Sequence, residues 1–101
     1  MGYEKLFQEF IGRLIAEFRG EISIILFGSR GRGDNRESSD YDLLIVLREK
    51  GNEQYLRILK LKPLSVPMDI IIVSPNELEN PVLSRMLKNS RLLYDGLNCF
   101  S

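Results

Sequence analysis

The chain has no histidine and a single cysteine, and neither charge sign predominates. Without histidine, Ser-His-Asp triads, Cys-His dyads and zinc sites of the usual histidine- and cysteine-rich kind are excluded. Any metal must be held by oxygen, which points to Mg²⁺, Mn²⁺ or Ca²⁺. Cys99 has no internal partner for a disulfide, which fits a reducing cytoplasm and gives no support to a secreted scaffold. Fourteen basic residues balance fourteen acidic ones, so the basic excess of a general nucleic-acid coat is missing. The apolar stripe at the N-terminus is broken by Glu4, Lys5, Glu9, Arg13 and Glu17; it is neither a signal peptide nor a membrane span, and the protein is expected to be soluble.

What is present is enough apolar residue, 44% over 101 positions, for one small domain spanning residues 1–101 with one core. Leu6, Phe7, Phe10, Ile11, Leu14, Ile15 and Phe18 recur at spacings of three and four, which predicts an amphipathic helix over residues 3–19, ended by Gly20. Residues 22–27 form a β-branched run stopped by Gly28 and read as a buried strand. Residues 28–39 hold no apolar side chain and read as a loop, with room for one helical turn after Ser29. A second strand is predicted over residues 41–47, a helix over 52–60 with Asn52 as its cap, and a third strand over 68–73. Beyond it, two starts compete for a last helix reaching Lys88: Ser74 capping Pro75, or Asn80 capping Pro81. A short closing strand is expected over residues 91–94. This order suits an α/β (α+β) domain, a small mixed β-sheet with helices packed on it.

The chemistry concentrates at strand ends. Side chains alternate along a strand, so Asp40 and Asp42 share one face with Leu44 and Val46, while Tyr41, Leu43, Ile45 and Leu47 share the other. Two carboxylates ~7 Å apart at an effective dielectric of ~20 repel by roughly 2 kcal/mol, so one takes a proton or a cation sits between them. Asp69 is the only polar side chain of Met68–Val73, a run apolar enough to be buried on both faces, where a lone charge needs a partner. A shared metal meets that need; a salt bridge to an arginine, or a place at the exposed start of the strand, meets it equally. Gly28 allows close backbone approach to a ligand, Ser29 offers a hydroxyl to phosphate oxygens, and Arg30, Arg32 and Arg36 are either phosphate contacts or a solvated loop. A Walker-type loop, the dinucleotide fingerprint and the EF-hand all fail on spacing.

Gly28-Ser29, ten intervening residues and then Asp40-x-Asp42 resembles the signature of the DNA polymerase β-type nucleotidyltransferase superfamily. The fuller string of residues 27–34, with residues 39–43, is similar to its minimal (MNT) branch in particular, and Asp69 on a later strand matches the family's third carboxylate. The resemblance covers nearly the whole chain and implies the polymerase β-like nucleotidyltransferase fold. It also implies ATP as substrate and Mg²⁺ as cofactor, two ions, with Mn²⁺ as an alternative. Asp40 and Asp42 would bind the metal, and Asp69 would complete the catalytic site and help deprotonate the acceptor. Gly28, Ser29 and Arg32 would bind the nucleotide. Gly31 stands where many relatives carry alanine, a change expected to loosen the loop.

After about Lys88 the sequence offers no second domain to select an acceptor, so the acceptor surface is expected from a partner or from a homo-oligomer, formed by sheet residues if no helix covers them. MNT proteins are typically paired with HEPN-domain toxins, and the resemblance implies an antitoxin that transfers AMP to a HEPN tyrosine. The competing expectation is a binding module that masks its partner without catalysis. Transfer to a small molecule ranks last.

Overall fold

The computed structural model describes residues 3–36 and 39–100; residues 37 and 38 of the expected loop, and residues 1, 2 and 101 of the single domain, lie outside the described residues. In chain order the elements are α1 (Glu4–Glu17), β1 (Ser23–Phe27), α2 (Gly28–Arg32), β2 (Tyr41–Val46), α3 (Asn52–Leu61), β3 (Met68–Val73), a 3₁₀ turn (Pro75–Glu79), α4 (Pro81–Met86) and β4 (Arg91–Asp95). The strands form one sheet in the order β3-β2-β1-β4. β1 runs antiparallel to both β2 and β4, whereas β2 and β3 are parallel. The sheet is therefore mixed, as expected, and α3 supplies the crossover that a parallel pair requires.

Both faces of the sheet are covered. Phe7, Phe10, Ile11 and Leu14 of α1 and Ile58 of α3 pack on Ile24, Tyr41, Leu43, Ile45 and Leu47. On the other face Ile25, Leu44, Val46 and Val73 meet Leu78, Leu83 and Leu87, together with Leu97, Cys99 and Phe100 near the C-terminus. The predicted alternation of β2 is thus observed, and helices pack on both faces of the sheet. No helix among the described residues is long and apolar enough to cross a membrane.

Three local expectations change. Gly51, not Asn52, occupies the cap position of α3, and Asn52 is its first helical residue. Both starts proposed for the last helix are used: Ser74 precedes a 3₁₀ turn, with the Glu77 carboxylate accepting from its backbone N–H at 2.7 Å. Asn80 then caps α4 by accepting from the Val82 N–H at 2.8 Å. Pro81 forces the break because it cannot continue a helix already under way. Finally, β3 is an edge strand: Ile70, Ile71 and Ile72 are half-buried and Asp69 is exposed. Burial of Asp69 therefore drops out as a reason for a partner, and of the alternatives above the exposed start of the strand is the one found.

Candidate active site

The sheet register brings the carboxylates together. Asp42 is the registered partner of Asp69 on the parallel strand β3 and of Phe27 on the antiparallel strand β1. Residues in register on neighbouring strands project to the same face, so Asp42 and Asp69 stand side by side, with Asp40 two residues earlier on that face. Phe27 leads directly into Gly28, whose φ is +70°. A Cβ at Gly28 would fall on the carboxylate of Asp42, so glycine is needed here both for the backbone angle and for the space.

Burial pushes the Asp42 carboxyl above the usual aspartate range, and the negative charges of Asp69 and Asp40 push it further; Arg32 opposes them. Those interactions place Asp40, Asp42, Asp69 and Arg32 within one electrostatic neighbourhood. Arg32 also reaches Asp34, Nε to Oδ2 at 3.3 Å, from a largely exposed position. Ser29 is the second residue of α2, and its carbonyl accepts from the N–H groups of Gly33 and Asp34 at 2.9 and 3.1 Å. The loop thus closes back on its own start, with Gly33 in the left-handed conformation at the end of α2.

Gly31 does something other than loosen the loop. A Cβ there would meet the Leu26 carbonyl, so its absence lets α2 lie directly on the end of β1.

Arg30 is turned to the opposite face from the carboxylates. Its guanidinium lies 3.9 Å from the centre of the Tyr41 ring, and that ring stacks on Phe7 at 4.0 Å. Arg30 Nε also donates to the Ser39 carbonyl at 2.9 Å, and the Tyr41 hydroxyl donates to Glu4 at 3.4 Å. The sandwich pins α2 to the segment that carries Asp40 and Asp42. No sequence spacing announces a contact between residues eleven positions apart; the only hint was an aromatic residue on the core face between two aspartates.

The donor set suits a hard divalent cation, being carboxylate oxygen without nitrogen or sulfur. Among the described residues, however, no three such side chains are drawn close enough to cage a metal ion. The carboxylates form an open anionic edge. A cavity of about 580 Å³ lies elsewhere, among Glu17, Leu47, Arg48 and Arg57 beyond the far end of β2.

The family model described as polymerase beta, nucleotidyltransferase matches residues 12–96, a span that holds Gly28, Ser29, Arg32 and all three aspartates. The chain belongs to this nucleotidyltransferase family. Two curated relatives come from Methanocaldococcus jannaschii. "Putative protein adenylyltransferase MJ0604" is 53% identical over 47 residues, 46% of this chain and 47% of that protein. "Putative protein adenylyltransferase MJ1305" is 31% identical over 106 aligned positions, 92% of this chain and 72% of that protein. The match thus spans about half the length of the first relative and nearly three quarters of the second. Among solved structures, a "putative nucleotidyltransferase" from Sulfolobus solfataricus superposes with a TM-score of 0.62 at 25% identity, covering 87% of this chain and 76% of that one. The fold is the nucleotidyltransferase fold.

Proposed function

We propose that the protein is a Mg²⁺-dependent nucleotidyltransferase that transfers AMP from ATP to a hydroxyl of a protein, a tyrosine of a HEPN-type toxin, and so acts as its antitoxin. The observation that carries the catalytic part is the registered pair Asp42 and Asp69, with Gly28 against Asp42 and the Asp42 carboxyl held above its usual range. Such a cluster of like charges gains most from a divalent cation. The names of the Methanocaldococcus relatives support adenylyl transfer to protein; the tyrosine and the HEPN partner rest on the resemblance to the MNT branch.

In this reading Asp40, Asp42 and Asp69 hold the metal. Bound there, Mg²⁺, or Mn²⁺ in its place, supplies positive charge to the triphosphate and to the reacting oxygens. Gly28 and Ser29 hold the leaving phosphates, with Arg32 as a further contact. Asp69, exposed at the start of its strand, takes the proton of the acceptor hydroxyl as it attacks the α-phosphorus and the bond to pyrophosphate breaks.

The test is label transfer from α-labelled ATP to a co-expressed HEPN partner in Mg²⁺. Asp40→Ala combined with Asp42→Ala should reduce labelling by roughly 10³-fold or more. A folded complex that never takes label would sink the proposal. The open spacing of the carboxylates favours a second reading, a binding module that masks its partner without catalysis. Mg²⁺ with ATP should raise the melting temperature if the site works, whereas a pure mask would be indifferent to both.

A further inference from the structure

With helices packed on both faces of the sheet, the largest run of uncovered apolar side chains among the described residues lies on α3. Ile58 faces the core, fully buried, yet Tyr55, Leu56 and Leu59 are 45%, 55% and 37% exposed. At ~100° per residue, Leu56 points roughly 160° away from Ile58, directly outward from the sheet. Tyr55 and Leu59 lie on one flank of Leu56. Glu53 and Lys60, both exposed, lie on the other flank, roughly 60° and 40° from it. Glu53 sits near the start of the helix and Lys60 near its end.

We propose that this face of α3 is a self-complementary docking surface on which a second copy of the chain pairs, the two helices antiparallel about a two-fold axis beside Leu56. The occupant follows from the charge pattern. An antiparallel two-fold reverses direction along the helix and keeps each flank on its own side. Glu53 of each copy then meets Lys60 of the other, Leu59 of each meets Tyr55 of the other on the opposite flank, and the two Leu56 side chains meet at the centre. A parallel pair would lay the charged flank of each helix on the apolar flank of its partner. A surface of a single charge sign would leave either Glu53 or Lys60 opposed. A copy of this face answers both charges and the apolar stripe together. A ten-residue helix is about 15 Å long, so the contact belongs to the small, transient class of interfaces and should depend on concentration.

Sedimentation equilibrium of the full chain from micromolar to millimolar concentration tests this without reference to catalysis. The mass should rise from one chain to two. Leu56→Asp should weaken association by roughly a hundredfold, since both copies carry it at the axis. Because Leu56 is exposed, its circular-dichroism melt should stay that of the parent. Glu53→Lys alone and Lys60→Glu alone should each weaken association by roughly tenfold, two like-charged contacts replacing two opposite ones. An equimolar mixture of these two variants should recover the parental affinity as a heterodimer, because each contact across the axis then joins an acid to a base. A chain that stays monomeric throughout, a dimer indifferent to Leu56→Asp, or a mixture no tighter than its components would overturn the proposal. The two charge variants alter exposed side chains only, so the mixing experiment stands even if Leu56→Asp misfolds.

Discussion

β1 is flanked by two aspartates that meet opposite treatment. At one end Phe27 pairs with Asp42 of β2, and at the other Ser23 pairs with Asp95 of β4. Asp95 accepts from the buried Ser23 hydroxyl at 2.8 Å and from the backbone N–H groups of Cys99 and Phe100 at 2.9 and 3.1 Å. Burial alone would raise its carboxyl; these hydrogen bonds outweigh burial and hold it below the usual range. Asp42 has a glycine backbone against its carboxylate and two further carboxylates beside it, and it is pushed the other way. A carboxylate saturated with donors is a structural joint, here tying the C-terminal segment to the sheet. A carboxylate with like charges beside it is eased by a proton or a cation, and a metal-dependent site would draw on that.

The comparison can be broken at several points. Among these single substitutions the largest effect is expected from Gly28→Ala, which both forces a side chain into φ +70° and drives a methyl group onto the Asp42 carboxylate. Label transfer should fall roughly a hundredfold, and stability by about 2 kcal/mol in urea denaturation. Gly33→Ala meets a similar φ but no neighbouring atom, so it should cost only about 1 kcal/mol and separate the two effects. Asp95→Ala strands the Ser23 hydroxyl and two amides; it should cost about 2 kcal/mol while labelling per folded molecule is unchanged. Arg30→Leu removes the cation from the Tyr41 ring and the bond to Ser39, and should cost about 1 kcal/mol with a loss of labelling that Arg30→Lys recovers only in part.

The smallest effect is also the most diagnostic, because the two aspartates have opposite signs. The Asp42 carboxyl is raised in the folded chain, so its contribution to stability is fully present below the ordinary aspartate value of 3.8 and is lost as pH rises through the raised value. Asp42→Asn should therefore gain slightly on the parent as pH rises from 3.8, and added Mg²⁺ should close that gap. The Asp95 carboxyl is lowered, so its contribution is present above 3.8 and lost as pH falls through the lowered value. Asp95→Asn should be less stable than the parent near neutrality and converge with it in acid. Urea midpoints followed from pH 3 to pH 7 should give slopes of opposite sign for the two variants; like signs would refute the contrast.

Much of the site was legible before the fold, because its parts are local. Gly28-Ser29 and Asp40-x-Asp42 sit at strand ends, where a change from apolar to polar residues is visible in the sequence, and alternation alone puts Asp40 and Asp42 on one face. Asp69 stands out as one charge in an apolar strand, and of the two readings that such a charge allows, burial with a partner or the exposed start of the strand, only the order of strands decides: β3 lies at the sheet edge, which spacing does not encode. Long-range packing was illegible for the same reason. Neither Arg30 over Tyr41 nor Asp95 gathering Ser23 from 72 residues away has a local signature. Gly31 looked like a loosened alanine and is instead a tight contact with Leu26, visible only when α2 lies on β1.

The doubly covered sheet has one more consequence, for folding fidelity. Leu43, Leu44, Ile45 and Val46 are all fully buried, so β2 is equally greasy on both sides and its apolar residues cannot tell one side from the other. A slip of one position against β1 would exchange one leucine or isoleucine for another at little cost, were it not for Asp42. That slip would turn Asp42 toward Phe7 and Phe10, burying a charge among aromatic rings at a cost of several kcal/mol. The acid proposed to hold the metal therefore also acts as the alignment mark of the sheet, and an alanine in its place would remove a safeguard against misthreading along with the chemistry.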